Sequence, residues 1–183
     1  MRKLIAFIGI SLDGYYKGPN GEFDFATVDQ EFFEFSNRQD AYIDTLMFGR
    51  ETYEHMAAYW PDATEPDPEI IAFMNGVRKI AVSSTLKQVE WANTTLVGRD
   101  DVAETVAELK GQQGKEIAMF GSVQLTASLL ELGLVDELRV MIFPIVLGAG
   151  ISMFSTLNDR LRLELLRTTT FHSGNVLLTY RPA

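Results

Sequence analysis

Short unbroken apolar runs alternate along the chain with longer stretches whose apolar positions fall three or four residues apart. Residues 3–11 (KLIAFIGIS) are nearly all apolar, which predicts a first strand covered on both faces. Gly14, Gly18, Pro19, Asn20 and Gly21 make residues 12–26 a loop with an Asn-Gly turn. Thr27 and Gln30 have the spacing of a capping box. They predict a helix capped by Thr27 that carries Phe32, Phe33 and Phe35. Asp44–Phe48 predicts a strand closed by Gly49, with a helix from Arg50 through Tyr53 and Met56. Asp67-Pro68 supplies an N-cap and a proline at the first helical position, ahead of a stripe of Ile70, Ile71, Phe73, Met74 and Val77.

The second half repeats the alternation. Residues 78–82 and Thr95–Val97 read as strands, and Asp101 with Glu104 opens a helix bearing Val102, Val106 and Leu109. Glu116–Phe120 is a strand broken by Gly121-Ser122. The helix after it carries Val123, Leu125, Leu129, Leu130 and Leu132 and stops at Gly133. Residues 136–147 are strand-like, with Pro144 as an interruption or edge. Leu161–Phe171 and Val176–Tyr180 form a closing antiparallel hairpin around Ser173-Gly174-Asn175. The pattern predicts an α/β fold in one domain over 1–183, a mixed, mainly parallel sheet with helices on both faces.

Composition narrows the function classes. With 25 acidic against 16 basic residues and a net charge of −9, and with no basic run, the chain is not suited to a nucleic-acid backbone. The absence of cysteine excludes disulfides and thiolate chemistry, and His55 and His172 lack ligand spacing, so no metal site is expected. The first apolar run stops at Asp13, too soon for a membrane span and without a cleavage site, so a cytoplasmic protein is expected.

Three predicted strands end alike, in Phe48-Gly49-Arg50-Glu51-Thr52, Val82-Ser83-Ser84 and Phe120-Gly121-Ser122-Val123. In open α/β sheets ligands bind beyond the carboxyl ends of strands, where helix N-termini present free amides. Small residues let a pyrophosphate approach the backbone, and Arg50 offers a fork of donors. No G-x-G-x-x-G or Walker A segment is present.

Together these segments resemble dihydrofolate reductases. Closer still is the reductase domain at the C-terminus of the bifunctional riboflavin-biosynthesis deaminase-reductase. Ser11-Leu12-Asp13-Gly14, Asp44–Tyr53, Gly133–Leu138, Pro144–Gly150 and Ser173–Tyr180 carry the resemblance. It implies a dihydrofolate-reductase-like, eight-stranded sheet with NADPH across the strand ends. By matching motif it puts the cofactor against Gly49, Arg50, Thr52, Ser83, Ser84, Gly121, Ser122 and Val123, with Ile8 and Gly9 beside the nicotinamide. The family often has Gly-Gly where this chain has Gly121-Ser122.

The candidate proton donors are carboxylates. Asp29 and Glu31 lie at the predicted helix start before Phe33, where burial would raise a pKa into the range of a general acid. An acid in a first helical turn also serves the helix dipole. Asp13 is a candidate for substrate contact and equally a turn-forming Asp before Gly14. Tyr15, Tyr16, Phe23, Phe25, Phe32, Phe33, Tyr59 and Trp60 could line a pocket for a flat ring or fill the core.

The expected activity is NADPH-dependent reduction of a small heterocycle such as a pteridine or pyrimidine. The alternative is a non-catalytic nucleotide-binding or regulatory module on the same fold. A homodimer is expected through Leu138–Leu147, because relatives pair near the C-terminus and this segment is apolar.

Overall fold

The computed structural model describes residues 1–65 and 67–183. Among the described residues are ten strands and five α-helices, of which eight strands and all five helices follow the predicted order. The strands are β1 (Leu4–Ser11), β2 (Tyr15–Lys17), β3 (Ile43–Gly49), β4 (Arg78–Val82), β5 (Thr94–Val97), β6 (Glu116–Phe120), β7 (Glu137–Phe143), β8 (Ile151–Ser152), β9 (Leu163–Thr170) and β10 (Val176–Pro182). The helices are α1 (Gln30–Asp40), α2 (Arg50–Tyr59), α3 (Pro68–Gly76), α4 (Val102–Gly111) and α5 (Val123–Glu131). An eight-stranded sheet has the order β5-β4-β3-β6-β1-β7-β10-β9, and β2 pairs β8 in a small sheet of its own. Strands β5 through β7 in that order are mutually parallel, while β10 is antiparallel to both its neighbours.

Burial follows the patterning. Leu4, Ala6, Ile8 and Ile10 of β1 pack with Val106 and Leu109 of α4 and Leu129 of α5 on one face. On the other face Phe48 and Tyr53 pack with Ile70 and Met74 of α3 and with Trp91, and α1 covers Met141 and Phe143 through Phe32 and Phe35. Every side chain of α1 keeps some exposure, which makes it the helix most dependent on polar contacts.

Three local expectations change. The cap of α1 is Asp29, whose Oδ1 accepts from the Phe32 amide at 2.9 Å, and Thr27 instead accepts Asn175 Nδ2 at its carbonyl. Strand β7 ends at Phe143, before Pro144, and it lies between β1 and β10 with nearly every residue buried. Residues 138–143 of the segment expected at a subunit interface are therefore core, whereas Ile145 and Val146 beyond them are exposed. Strand β9 is the sheet edge instead, with Leu165 and Leu166 largely exposed. The short strands β2 and β8 were not legible as strands, being two or three residues long.

Two polar groups are buried near the amino ends of the strands. The Lys79 ammonium donates to the carbonyls of Met74, Asn75 and Val77 at 2.8–3.3 Å and lies 4.4 Å from the Trp91 ring centroid. Arg2 reaches Asp44 and Thr45 of β3. No helix among the described residues is long and apolar enough to cross a membrane.

Candidate functional site

The lengths of three central strands create a notch. Strand β1 pairs with β6 only as far as Phe7↔Phe120, yet it runs on to Ser11 beside β7. Strand β3 likewise passes its last β6 partner at Met47 and reaches Gly49. β6 therefore stops between two longer neighbours, and its chain turns away at Gly121, whose amide donates to the Phe7 carbonyl at 3.0 Å. Backbone groups alternate sides along a strand. The amide and carbonyl of Gly9 therefore point toward the same side as those of Phe7, above the end of β6. A Cβ at Gly9 would come within 2.6 Å of the Phe143 ring. Ile8 points its side chain into the opposite core and is 2% exposed, so only its backbone borders the notch.

Two helices begin at the notch. Gly49 is the N-cap of α2 and Ser122 the N-cap of α5, and no side chain caps the amides of either helix. The two positive dipole ends and their free amides form a site suited to an anion. Gly121 and Ser122 both adopt positive φ, at 59° and 55°, which strains a serine. The serine is held there because its Oγ accepts from the Gly49 amide at 2.7 Å and donates to Thr52 Oγ1 at 2.9 Å. The hydroxyl stitches the two helix starts together. A Cβ at Gly49 would sit 3.2 Å from that Oγ, and one at Gly121 would sit 3.3 Å from Thr52 Oγ1. Thr52 and the Ser122 hydroxyl thus hold the cradle, and its backbone amides remain for a ligand. Val123 is buried against the core.

The charged neighbours are tied to one another. Arg50 pairs with Glu54 at 3.1 Å and lies 3.9 Å from Glu51, which pairs with Lys17 of β2 at 3.0 Å. The Lys17 pair draws Glu51 below the ordinary carboxylate range. Ser83 is buried, and its Oγ accepts from the amides of Thr85 and Leu86 in a local turn. Ser84 is exposed beside it. The Ser83 amide donates to the Val97 carbonyl at 2.9 Å, which places Gly98-Arg99 next to the serine pair. Arg99 is exposed and makes no ion pair among the described residues. Sequence reading passed over it, although a basic residue just after a strand was the available signal.

The three candidate acids have local tasks. Asp13 accepts from Ser11 Oγ at 2.7 Å and from the amides of Leu147 and Gly148 at 3.1 and 2.8 Å. Those bonds, the serine first, hold its pKa below the ordinary value and clamp the β1 turn to the loop after β7. Asp29 caps α1. Glu31 accepts from the His172 amide at 2.8 Å and contacts its imidazole at 2.9 Å, which lowers its pKa and raises that of His172. Of the two readings of Glu31, the buried acid with a raised pKa fails, because the side chain is half-exposed and hydrogen-bonded to His172. Asp40 is the carboxylate that burial does push up, to about 6, but it ends α1 rather than starting it.

The aromatic cluster divides. Phe23 and Phe25 pack on Phe143, whereas Phe32 contacts Phe7, Phe33 and Phe171. Phe7 in turn meets Phe120 edge-on at 6.0 Å. Tyr59 and Trp60 pair with each other at the far end of α2. Phe7 and Phe120 escaped the sequence reading because each is one apolar residue within an apolar strand. Two hollows, of about 400 and 320 Å³, are lined by Leu130–Glu131 with 157–161 and by Met1–Lys3 with Tyr42 and 114–116; neither borders the notch.

Comparison with known proteins gives the fold and the family. The chain is 33% identical over 183 residues to the protein named Uncharacterized protein YyaP of Bacillus subtilis (strain 168), covering 98% of this chain and 94% of that one. In fold it is similar to a pyrimidine reductase-like protein from Corynebacterium diphtheriae, with a TM-score of 0.70 and 15% identity over 100% of this chain and 92% of that one. It is also similar to dihydrofolate reductase from Enterococcus faecalis complexed with NADP(H), with a TM-score of 0.65 and 16% identity over 98% and 96% of the two chains. These likenesses establish a dihydrofolate-reductase-like fold. The family model for the RibD C-terminal domain matches residues 2–177, and the chain belongs to that family.

Proposed function

We propose that the protein is an NADPH-dependent reductase acting on a small heterocycle. The observation that carries the reading is the meeting of two uncapped helix N-termini beside the notch left by β6. The fit to a dinucleotide is supported by the close packing at Gly49 and Gly121, where a Cβ would crowd the cradle. In this reading the amides of α2 and α5 hold the pyrophosphate, with Arg50 at its rim. Ser84 and Arg99 suit an adenosine phosphate, Arg99 as the fork of donors. The Gly9 amide and carbonyl offer one donor and one acceptor to a planar carboxamide. The cofactor, when bound, supplies the hydride, while the protein supplies orientation.

Fluorescence titration with NADPH and NADH tests this. Micromolar NADPH binding, weakened at least fivefold by Arg99→Ala or Arg50→Ala, is expected. No binding of either nucleotide would leave the alternative of a reductase fold used for another task.

The chain is also proposed to form a homodimer, now through β9. An exposed edge strand with two outward leucines invites pairing with a second copy. Sedimentation at micromolar concentration giving only monomer would refute this.

A further inference from the structure

Resting on the cofactor reading above, we infer that the hydride acceptor is a planar ring that is free of phosphate and of negative charge. It is received on the partly exposed Phe7, Phe32 and Phe120. These rings are contiguous, with centroids 6.3 Å apart for Phe7–Phe32 and 6.0 Å for Phe7–Phe120. Phe7 and Phe120 are the last paired residues of β1 and β6, with Phe120 directly before Gly121, and Phe32 reaches Phe7 from α1. The aromatic surface therefore adjoins the cradle from which a hydride would come. Aromatic faces and edges bind flat rings by offset or edge contacts without needing charge.

Electrostatics decides which flat rings fit. Asp29 and Glu31 flank the approach at the start of α1, Asp13 lies beyond the end of β1, and Asp24 is exposed between Phe23 and Phe25. The cations nearest the aromatic surface are already paired, Lys17 with Glu51, Arg50 with Glu54, and the imidazole of His172 with Glu31. Arg99, without an ion pair among the described residues, lies beyond β5, where the cofactor reading uses it. An acceptor bearing phosphate or carboxylate would lose hydration and meet an acidic rim whose nearby cations are already engaged. The three candidate acids are committed to amides, a hydroxyl and an imidazole, so the one proton required comes from water. The balance is NADPH plus acceptor plus one proton giving NADP⁺ and the dihydro product: the acceptor gains a hydride at one ring position and the water-derived proton at another.

Calorimetric titration of the protein saturated with NADP⁺, which permits no turnover, tests this. The probes are 1,4-naphthoquinone and 1,4-naphthoquinone-2-sulfonate, planar molecules that differ by one negative charge. The neutral probe is expected to bind at least tenfold more tightly than the sulfonate. Phe32→Ala should weaken the neutral probe at least fivefold while leaving NADP⁺ affinity within twofold. Phe120→Leu provides a second variant that keeps apolar volume while removing the ring. Equal or tighter binding of the sulfonate, indifference to both variants, or failure of the neutral probe to bind the NADP⁺-loaded protein would each overturn the inference. Failure of NADP⁺ itself to bind is a separate result, which overturns the cofactor reading and this inference with it.

Discussion

Ser122 sets two effects against each other, and two substitutions separate them. Its left-handed backbone, φ 55° and ψ 53°, costs about 1–2 kcal/mol for a residue with a Cβ. Its Oγ returns that through the bonds to the Gly49 amide and to Thr52 Oγ1. A net hydrogen bond contributes about 1 kcal/mol, and a partly buried amide left without a partner costs about 1–3 kcal/mol. Ser122→Ala keeps the strain and loses both bonds, so a loss of about 2–3 kcal/mol is expected. Ser122→Gly loses the same bonds but relieves the strain, at some added entropy cost in the unfolded chain. It should be destabilised by about 1–2 kcal/mol, leaving it about 1 kcal/mol more stable than the alanine variant. Urea unfolding followed by tryptophan fluorescence measures the order, since Trp91 is buried in the neighbouring core. Wild type should be most stable and Ser122→Ala least. If alanine matches or exceeds glycine, the left-handed strain is not real. If both variants equal wild type, the hydroxyl does not join the two helix starts.

Two further predictions follow from buried and titrating groups. Lys79→Met strands three carbonyls around the end of α3, and a loss of about 2–4 kcal/mol in urea unfolding is expected. Burial pushes the Lys79 pKa down from 10.5 to about 8, so the unfolded chain binds more protons between those values. Stability contributed by Lys79 should therefore rise with pH across that window, widening the gap to the Met variant; a gap that narrows would refute the assignment. The Glu31–His172 pair should give the His172 ring a pKa above 6.5 by NMR titration, returning toward the ordinary value in Glu31→Gln. Because this pKa is raised in the folded state, the pair's contribution is full below the unfolded value while Glu31 remains ionised, and it fades as pH rises through the folded value. An unchanged His172 titration in Glu31→Gln would show that the contact is absent in solution.

The sequence by itself determined the order of strands and helices, because burial writes its period into the chain. The unbroken apolar runs of β1 and β7 follow from cover on both faces, and Asp67-Pro68 places the start of α3 by local chemistry alone. The same pattern located the strand ends at Gly49 and Gly121, and the family resemblance made them candidate cofactor contacts. Tertiary structure decided what each polar atom at those ends does. Hydrogen bonds across 73 residues, as from Gly49 to Ser122, or across 141, as from His172 to Glu31, leave no local signature. Burial of residues 138–143 has the same kind of cause, for the neighbours on both sides of β7 come from the opposite ends of the chain. Asp29 rather than Thr27 caps α1 because the helix begins at Gln30, so that the Asp29 carboxylate reaches the Phe32 amide. Periodicity records which side of an element is buried; only the assembled sheet fixes what lies against it.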